Sequence, residues 1–213
     1  MKKRTALLLI AVVCITLICV GCATENITQK EPTNDKPDIP VEDDNVPQTE
    51  KIKFESGILP TYVGAFYDDL TYENYPERKA DIPDPLVTFV QTSEECNALI
   101  EPTFFEQIEE FGIDFFPATT QKMYATTQKY TDSFFADKQI IVITHFQTGV
   151  LGDYLVAKEL VREETGRYCL VVELKQGGGG DADGLFIDTI SVEVDRSLGI
   201  TAENLTVELI KYY

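Results

Sequence analysis

The hydrophobic pattern of this chain takes on the period of β-strands after residue 138. Five runs rich in β-branched and aromatic residues follow one another, separated by Gly-containing or polar turns. Alternation is clearest in the fourth run, where Ile190, Val192 and Val194 are each followed by a polar residue. The predicted strands are residues 139–146, 154–163, 167–175, 185–195 and 205–212.

One further strand and the first helix are predicted before this region. Residues 86–91 form a short β-branched and aromatic run bounded by proline, which is typical of a strand. Thr92 follows it, and Glu95 comes three residues later. This spacing is that of a capping box, so a helix should begin at Thr92.

Two more helices are predicted between residues 100 and 136. Phe104, Ile108 and Phe111 recur at helical spacing, which places them on one face toward a core, and Gly112 suits the end of that helix. A short helix over 127–135 would bring the rings at 130 and 134 together on one side. Helices followed by a meander of strands predict an α+β domain over 86–213, with five to six antiparallel strands packed on two or three short helices.

The segment 53–85 is aromatic but irregular, and prolines interrupt it repeatedly. We interpret it as an arm packed over the domain, with a short strand near residues 61–66. An exposed tyrosine surface for stacking on sugars or contacting a protein is the functional alternative. The tyrosines concerned are Tyr62, Tyr67, Tyr72 and Tyr75.

The N-terminus has the order of a secretory leader. A basic cluster at residues 2–4 precedes an uncharged apolar run from 6 to 20, which is shorter than the roughly 20 residues of a spanning helix. The sequence Cys-Val-Gly-Cys at 19–22 resembles a bacterial lipobox, with Cys19 in place of the usual Leu. Residues 1–21 are therefore predicted to be a cleaved signal peptide and Cys22 the lipidated first residue, with an uncleaved membrane anchor as the alternative.

Residues 22–52 are predicted to form a tether between the lipid and the folded domain. This stretch is rich in Pro, Asp, Glu, Asn and Thr and contains almost no large apolar side chain, so it cannot bury enough surface to offset its ordering entropy. Acyl chains on Cys22 would hold the protein at the extracytoplasmic face of the cell membrane.

The charge balance excludes one class of partner. Without the leader the chain carries 15 basic and 36 acidic side chains, a formal charge of about −21. Affinity for nucleic acid depends on clustered Lys and Arg, so nucleic acid is not expected as a partner. The same charge would repel an anionic bilayer, so membrane attachment should come from the lipid alone.

Few residues of the domain suggest catalysis. The chain has one histidine, His145, and lacks the nucleophile elbow, the zinc-protease motif, paired C-x-x-C motifs and the phosphate-binding loop. A Cys169–His145 dyad is conceivable, but a structural histidine is the simpler interpretation. Cys96 and Cys169 could form a disulfide outside the cytoplasm or remain as two buried thiols. No catalytic residue, metal site or cofactor is assigned.

The most unusual segment lies between the third and fourth predicted strands of the meander. Gly177, Gly178, Gly179 and Gly180 are followed by Asp181 and Asp183. The two aspartates are spaced like the first ligands of a calcium loop, but Leu185 and Phe186 occupy the following ligand and glycine positions. We interpret the segment as a hairpin loop, with a loop that orders on binding a partner as the functional alternative.

Three short motifs resemble those of a known group of proteins. They are residues 130–138 (YTDSFFADK), the apolar strand 139–143 and residues 190–196 (ISVEVDR). Together they resemble uncharacterised lipoproteins of Gram-positive anaerobes and, distantly, the C-terminal domain of protease-complex accessory subunits. The Thr-Gly-Gly-Tyr turn of those domains is absent here. The resemblance implies a small α+β accessory domain without known catalytic residues, and it transfers no functional site.

The leading hypothesis from the sequence is a lipid-anchored, non-catalytic binding or accessory module with a protein or cell-envelope partner. An enzyme that acts on the cell envelope through catalytic carboxylates is one alternative. A lipoprotein that binds a solute or a cation is another.

Lipidation at Cys22 is directly testable. Intact-mass measurement of the native protein should find an acylated Cys22 at the N-terminus, and Cys22→Ala should remove the acyl mass and release the protein from the detergent phase. Cys169→Ala serves as the control and should keep the acylated terminus. An unacylated Cys22 or an intact Met1 in the native protein would contradict the prediction.

Overall fold

The computed structural model describes residues 49–148, 152–177 and 184–212. The leader, Cys22 and nearly all of the predicted tether lie outside these residues, as do Gly178, Gly179, Gly180, Asp181 and Asp183. None of the helices within the described ranges has the length and apolar character needed to cross a membrane.

The described part of the chain contains eight strands and five α-helices. The strands are β1 (Glu50–Lys51), β2 (Glu55–Ile58), β3 (Leu86–Val90), β4 (Lys138–Thr148), β5 (Tyr154–Arg162), β6 (Tyr168–Lys175), β7 (Leu185–Asp195) and β8 (Leu205–Lys211). The helices are α1 (Tyr75–Arg78), α2 (Ser93–Leu99), α3 (Phe104–Phe111), α4 (Ala118–Lys129) and α5 (Asp132–Asp137).

The strands form two four-stranded sheets rather than one sheet of five or six. We name them the outer sheet, with the order β1-β5-β6-β8, and the central sheet, with the order β2-β7-β4-β3. Every neighbouring pair is antiparallel except β6 and β8, which are parallel. The α+β class is therefore confirmed, with slightly more strands than predicted.

The central sheet is covered on both faces. Ile141 and Ile143 of β4 pack into a core shared with the outer sheet, whereas Ile140 and Val142 pack with α2 and α5 on the other side. All four side chains are fully buried. This explains why β4 appears in the sequence as a continuous apolar run, since a strand covered on both faces needs no polar side.

Strand β7 has the predicted alternation, but its polar face is buried too. Ser191 and Glu193 are 0% and 4% exposed, because this face lies beneath the helices. The Tyr130 hydroxyl lies 2.8 Å from the Ser191 hydroxyl and 3.2 Å from a Glu193 carboxylate oxygen. Lys129 bonds Glu193 at 2.6 Å and Glu55 at 2.5 Å. The apolar face of β7 packs on the outer sheet instead.

The predicted start of α2 is confirmed. Thr92 accepts a hydrogen bond from the backbone N–H of Glu95 at 3.1 Å. The Glu95 carboxylate in turn accepts from the backbone N–H of Gln91 at 2.7 Å. The first bond satisfies a donor that the first turn of a helix leaves unpaired, and the second pairs the N–H of the residue just before the N-cap.

Helix α3 matches its prediction except at its last residue. Phe104 and Ile108 are buried, but Phe111 is 52% exposed and stacks on the exposed ring of Phe115, with 5.6 Å between centroids. The helix ends at Gly112, whose φ of +79° turns the chain away. The prediction that Phe111 faces the core is therefore wrong. Its ring packs on the 3₁₀ turn that follows the helix and not on the core.

The helix predicted over 127–135 is divided between two helices. Helix α4 ends at Lys129, and α5 begins after Thr131, whose hydroxyl accepts from the backbone N–H of Phe134. The rings of Tyr130 and Phe134 still meet, with 4.9 Å between centroids. The predicted ring pair is therefore formed across the junction.

The predicted arm contributes a strand to the central sheet, but not where it was expected. Strand β2 pairs with β7, whereas the region near 61–66 contains a 3₁₀ turn, Val63–Ala65, and one isolated bridge from Thr61. Tyr75 is buried and donates to the carbonyl of Phe146 at 3.0 Å. Of the four tyrosines, Tyr62 and Tyr67 are partly buried and Tyr72 alone is exposed, at 43%, so the arm is mainly a packing element.

The ion pair under α4 gives a stability prediction. Lys129→Met should lower the free energy of unfolding by about 2 kcal/mol, because it leaves the buried Glu193 carboxylate without its cation. Adding Glu193→Gln to the same chain should recover most of the loss. Urea denaturation measures both changes.

Lys51→Met provides the control for this experiment. Lys51 pairs with Glu159 at the surface, with 80% of its own side chain exposed. Such pairs contribute little, so this variant should unfold like the wild type. Equal losses in the single and double variants at positions 129 and 193 would show that the ion pair is not the cause.

Candidate functional site

A notch opens where two edge strands end early. Strand β2 ends at Ile58, opposite Ile190, so no described strand pairs with residues 185–189 on that side of β7. Strand β1 ends at Lys51, opposite Val161, and leaves the first half of β5 similarly uncovered. Three residues separate β1 from β2, so the two short strands lie on the same side of the molecule.

The notch encloses about 480 Å³ between the uncovered ends of β5 and β7, the segment after β2 and the first half of α4. Ligand-binding pockets commonly enclose 300–1,000 Å³ and are mostly apolar with a few polar groups, and this cavity fits that description. Its apolar lining comes from Ile58, Leu59, Pro60, Met123, Leu155 and Ile187.

Two carboxyl groups belong to the lining, and the sequence analysis did not single out either. Asp188 occupies the inward-facing register of β7, two residues before Ile190, and its carboxylate accepts from the side-chain amide of Gln147 at 2.6 Å. Asp153 precedes β5 and accepts from the backbone N–H of Gly177 at 3.1 Å. The sequence does hold a signal for Asp188, because this charged residue continues the alternating apolar series of Ile190 and Val192 by one further position.

The environment of Asp188 makes its ionisation costly. Burial raises the pKa of Asp188 to about 6, the nearby imidazole of His145 opposes this shift, and the carboxylate of Asp153 adds to it. None of the described residues that line the notch is basic. A group with a shifted pKa in a cleft is a candidate functional residue, and here the cause is partial desolvation.

His145 is held by a different set of charges. Its Nδ1 lies 2.6 Å from one oxygen of Asp84, and Lys211 from the end of β8 bonds the other oxygen at 2.5 Å. Burial alone would raise the pKa of Asp84, but the hydrogen bonds from His145 and Lys211 lower it to about 2. This arrangement links the central and outer sheets, in agreement with a structural histidine.

The structure does not bring Cys169 and His145 together. Cys169 alternates along β6 with Leu170, which faces the inter-sheet core, so the thiol lies on the far face of the outer sheet. Burial first, and then nearby glutamates, raise the pKa of the Cys169 thiol. A raised pKa disfavours the reactive thiolate, so this cysteine is a poor nucleophile.

The disulfide that the sequence left open is not formed. Cys96 and Cys169 are both free thiols. Cys96 packs beneath the helices on the other side of the central sheet, where burial raises its pKa to about 12. Both β-layers lie between the two cysteines.

Of the Gly-rich segment, the structure describes Gly177, and this residue contacts the notch. Its N–H binds Asp153, and a Cβ at this position would overlap the carbonyl of Gly152. Only glycine permits this approach of two backbones. The sequence-predicted loop therefore begins at the notch. Within the described ranges, no three His, Cys, Asp or Glu side chains are arranged to hold a metal ion.

Comparisons with protein-family models, with curated proteins and with solved structures found no match to this chain.

The shifted pKa of Asp188 predicts a pH-dependent cost to stability. The native pKa of about 6 exceeds the ordinary value of 3.8, so the native state holds its proton more tightly and loses stability as the pH rises through this interval. Asp188→Asn removes this cost and keeps an oxygen that can accept from Gln147. After allowance for solvent screening, it should raise the free energy of unfolding by about 1 kcal/mol at pH 7.5.

Urea denaturation at pH 7.5 and at pH 4 measures this effect, which should shrink severalfold at the lower pH because the native carboxyl is then protonated and the unfolded one, with its ordinary pKa of 3.8, is about half protonated. Asp68→Asn, at an exposed position in the arm, should show no such pH dependence. Destabilisation by Asp188→Asn at pH 7.5 would contradict the assignment.

Proposed function

We propose that this chain is a lipid-anchored, extracytoplasmic binding module that holds its ligand in the notch and performs no reaction on it. The observation that carries the proposal is a preformed apolar cavity of about 480 Å³ with two carboxyl groups in its lining. The proposed location rests on the predicted leader and on Cys22. The proposed accessory role rests on the resemblance to Gram-positive lipoproteins.

The geometry of the notch favours binding because its walls require no rearrangement to accept a ligand. Leu59 is 2% exposed and Leu155 is 7% exposed, so both side chains are fixed by the surrounding core. Strand β7 and the start of β5 belong to different sheets, and their shared core holds the two walls at a constant separation. A preorganised pocket loses less entropy on binding than one that must close.

The first residue of the Gly-rich segment lies beside the notch. Its first residue, Gly177, is hydrogen-bonded to Asp153 in the notch lining. We propose that Gly178, Gly179, Gly180, Asp181 and Asp183, which lie outside the described residues, take part in binding. A predicted tether with coil dimensions on the order of 30 Å would let the module reach a ligand away from the membrane surface.

One observation favours a second candidate, an enzyme acting on the cell envelope. Glycoside hydrolysis uses two carboxyl groups of which one is a general acid with a raised pKa. Asp188, with its pKa of about 6, and Asp153 provide such a pair in one cavity. An enzyme of this kind would release soluble fragments from isolated cell-wall polymer, and Asp188→Asn would abolish the release.

The binding proposal is tested by filling the notch from the helix side. Thr119 lies in the first turn of α4 and lines the cavity, and its exposed position tolerates a larger side chain. Thr119→Trp should weaken the binding of a neutral apolar dye, Nile red, at least tenfold, measured by fluorescence titration. Gln128→Trp places the same side chain at an exposed position of α4 outside the notch and should bind like the wild type.

A second control separates the notch from the exposed rings of Phe111 and Phe115. Phe115 is 74% exposed and could itself bind an apolar dye. Phe115→Ser should leave the titration unchanged. Unaltered binding by Thr119→Trp, or loss of binding in Phe115→Ser, would contradict the proposal.

A further inference from the structure

We infer that the ligand of the notch is an organic cation, a protonated amine attached to an apolar body. This inference rests on the proposed binding function and specifies its ligand class. Two features of the same cavity carry it: walls of apolar side chains, and two carboxyl groups with no basic side chain among the described lining residues. An amine would satisfy the carboxylates while its apolar part covers the walls.

Three basic groups of the strands that approach the notch are already paired. Lys211 and His145 both bind Asp84. Lys175 lies opposite Tyr154 in the outer sheet, but its amine bonds Glu173 at 2.6 Å. Within the described residues, no ion pair therefore involves Asp153 or Asp188, and the imidazole of His145 acts on Asp188 without forming one.

Asp188 is the centre of this uncompensated charge. From β4 it is faced by the amide of Gln147 and by the imidazole of His145, and from the start of β5 by the carboxylate of Asp153. Gln147 provides a single neutral hydrogen bond. A ligand ammonium would supply the opposite charge, and a charge-assisted hydrogen bond is about twice as strong as a neutral one.

The other classes of ligand fit less well. Anions would meet two carboxylates and no cation. Calcium requires six to eight oxygen ligands, whereas the described lining provides two carboxyl groups among apolar side chains. A neutral apolar molecule would cover the walls but leave the Asp188 charge desolvated, which raises the cost of binding.

Ammonium binding should depend on pH with a defined sign. The cation attracts only the ionised form of Asp188, whose pKa is about 6 in the free protein. Affinity should therefore be full at pH 7.5 and fall as acidification protonates Asp188. A ligand held by apolar contacts alone would not show this dependence.

The sequence supplies a single-residue reporter for the test. The chain contains two methionines, Met1 and Met123, and Met123 lines the notch. Removal of the leader leaves Met123 as the one methionine of the mature protein. Methyl-¹³C methionine labelling of the full mature chain in zwitterionic nanodiscs then gives one resonance that reports binding at this site.

The probes are hexylammonium and hexan-1-ol, which share a six-carbon chain and differ in charge. Hexylammonium should shift the Met123 resonance saturably at pH 7.5 and bind at least tenfold more tightly than hexan-1-ol. At pH 5, where about a tenth of Asp188 is ionised in the free protein, this preference should fall by about fivefold or more. Asp188→Asn should abolish the preference and retain hexan-1-ol binding, whereas Asp68→Asn should behave like the wild type. Empty nanodiscs correct for partitioning of the probes into lipid.

Each outcome separates the ligand class from the function on which it rests. Equal affinity for the two probes, or tighter binding of hexanoate, would overturn the ammonium inference and leave the notch as a binding site. Absence of any Met123 shift with every probe would overturn the proposed binding function itself. A preference that persists in Asp188→Asn would show that Asp188 is not the group that recognises the cation.

Discussion

Burial of both faces of β4 is the constraint on which this structure depends. A strand with isoleucine and valine on both sides cannot lie at a surface, so the central sheet needs a second layer on each face. The outer sheet covers one face, and the helices and the arm cover the other. Each fully buried side chain of this kind contributes on the order of 1.5–3 kcal/mol.

The same burial forces polar side chains of β7 into the interior and dictates what must meet them. Ser191 and Glu193 lie under α4 and the junction before α5 because the opposite face of β7 is needed for the inter-sheet core. Tyr130 and Lys129 satisfy them, so the helices are fixed by specific bonds as well as by apolar contact. An unpaired group there would lose its hydration without compensation.

The candidate site arises from the incomplete edges of this arrangement. In each sheet the edge strand is shorter than its neighbour: β1 is shorter than β5, and β2 is shorter than β7. The unpaired ends of β5 and β7 form walls of the cavity. Asp188 continues the inward face of β7 past the region that β2 covers, which explains how a carboxyl group reaches the end of an apolar layer. The cost of keeping such a group partly desolvated is consistent with a site retained for binding, since functional sites are commonly less stable than their surroundings.

The sequence by itself determined the local elements. Runs of β-branched and aromatic residues between turns located the five long strands to within one or two residues, and the spacing of Thr92 and Glu95 located a helix start, because both signals depend on neighbouring residues alone. Tertiary structure decided what covers each face, since alternation distinguishes two faces without specifying their partners. It also decided that Asp153 and Asp188 share one cavity, because their proximity depends on the packing of two separate sheets, which no local pattern records.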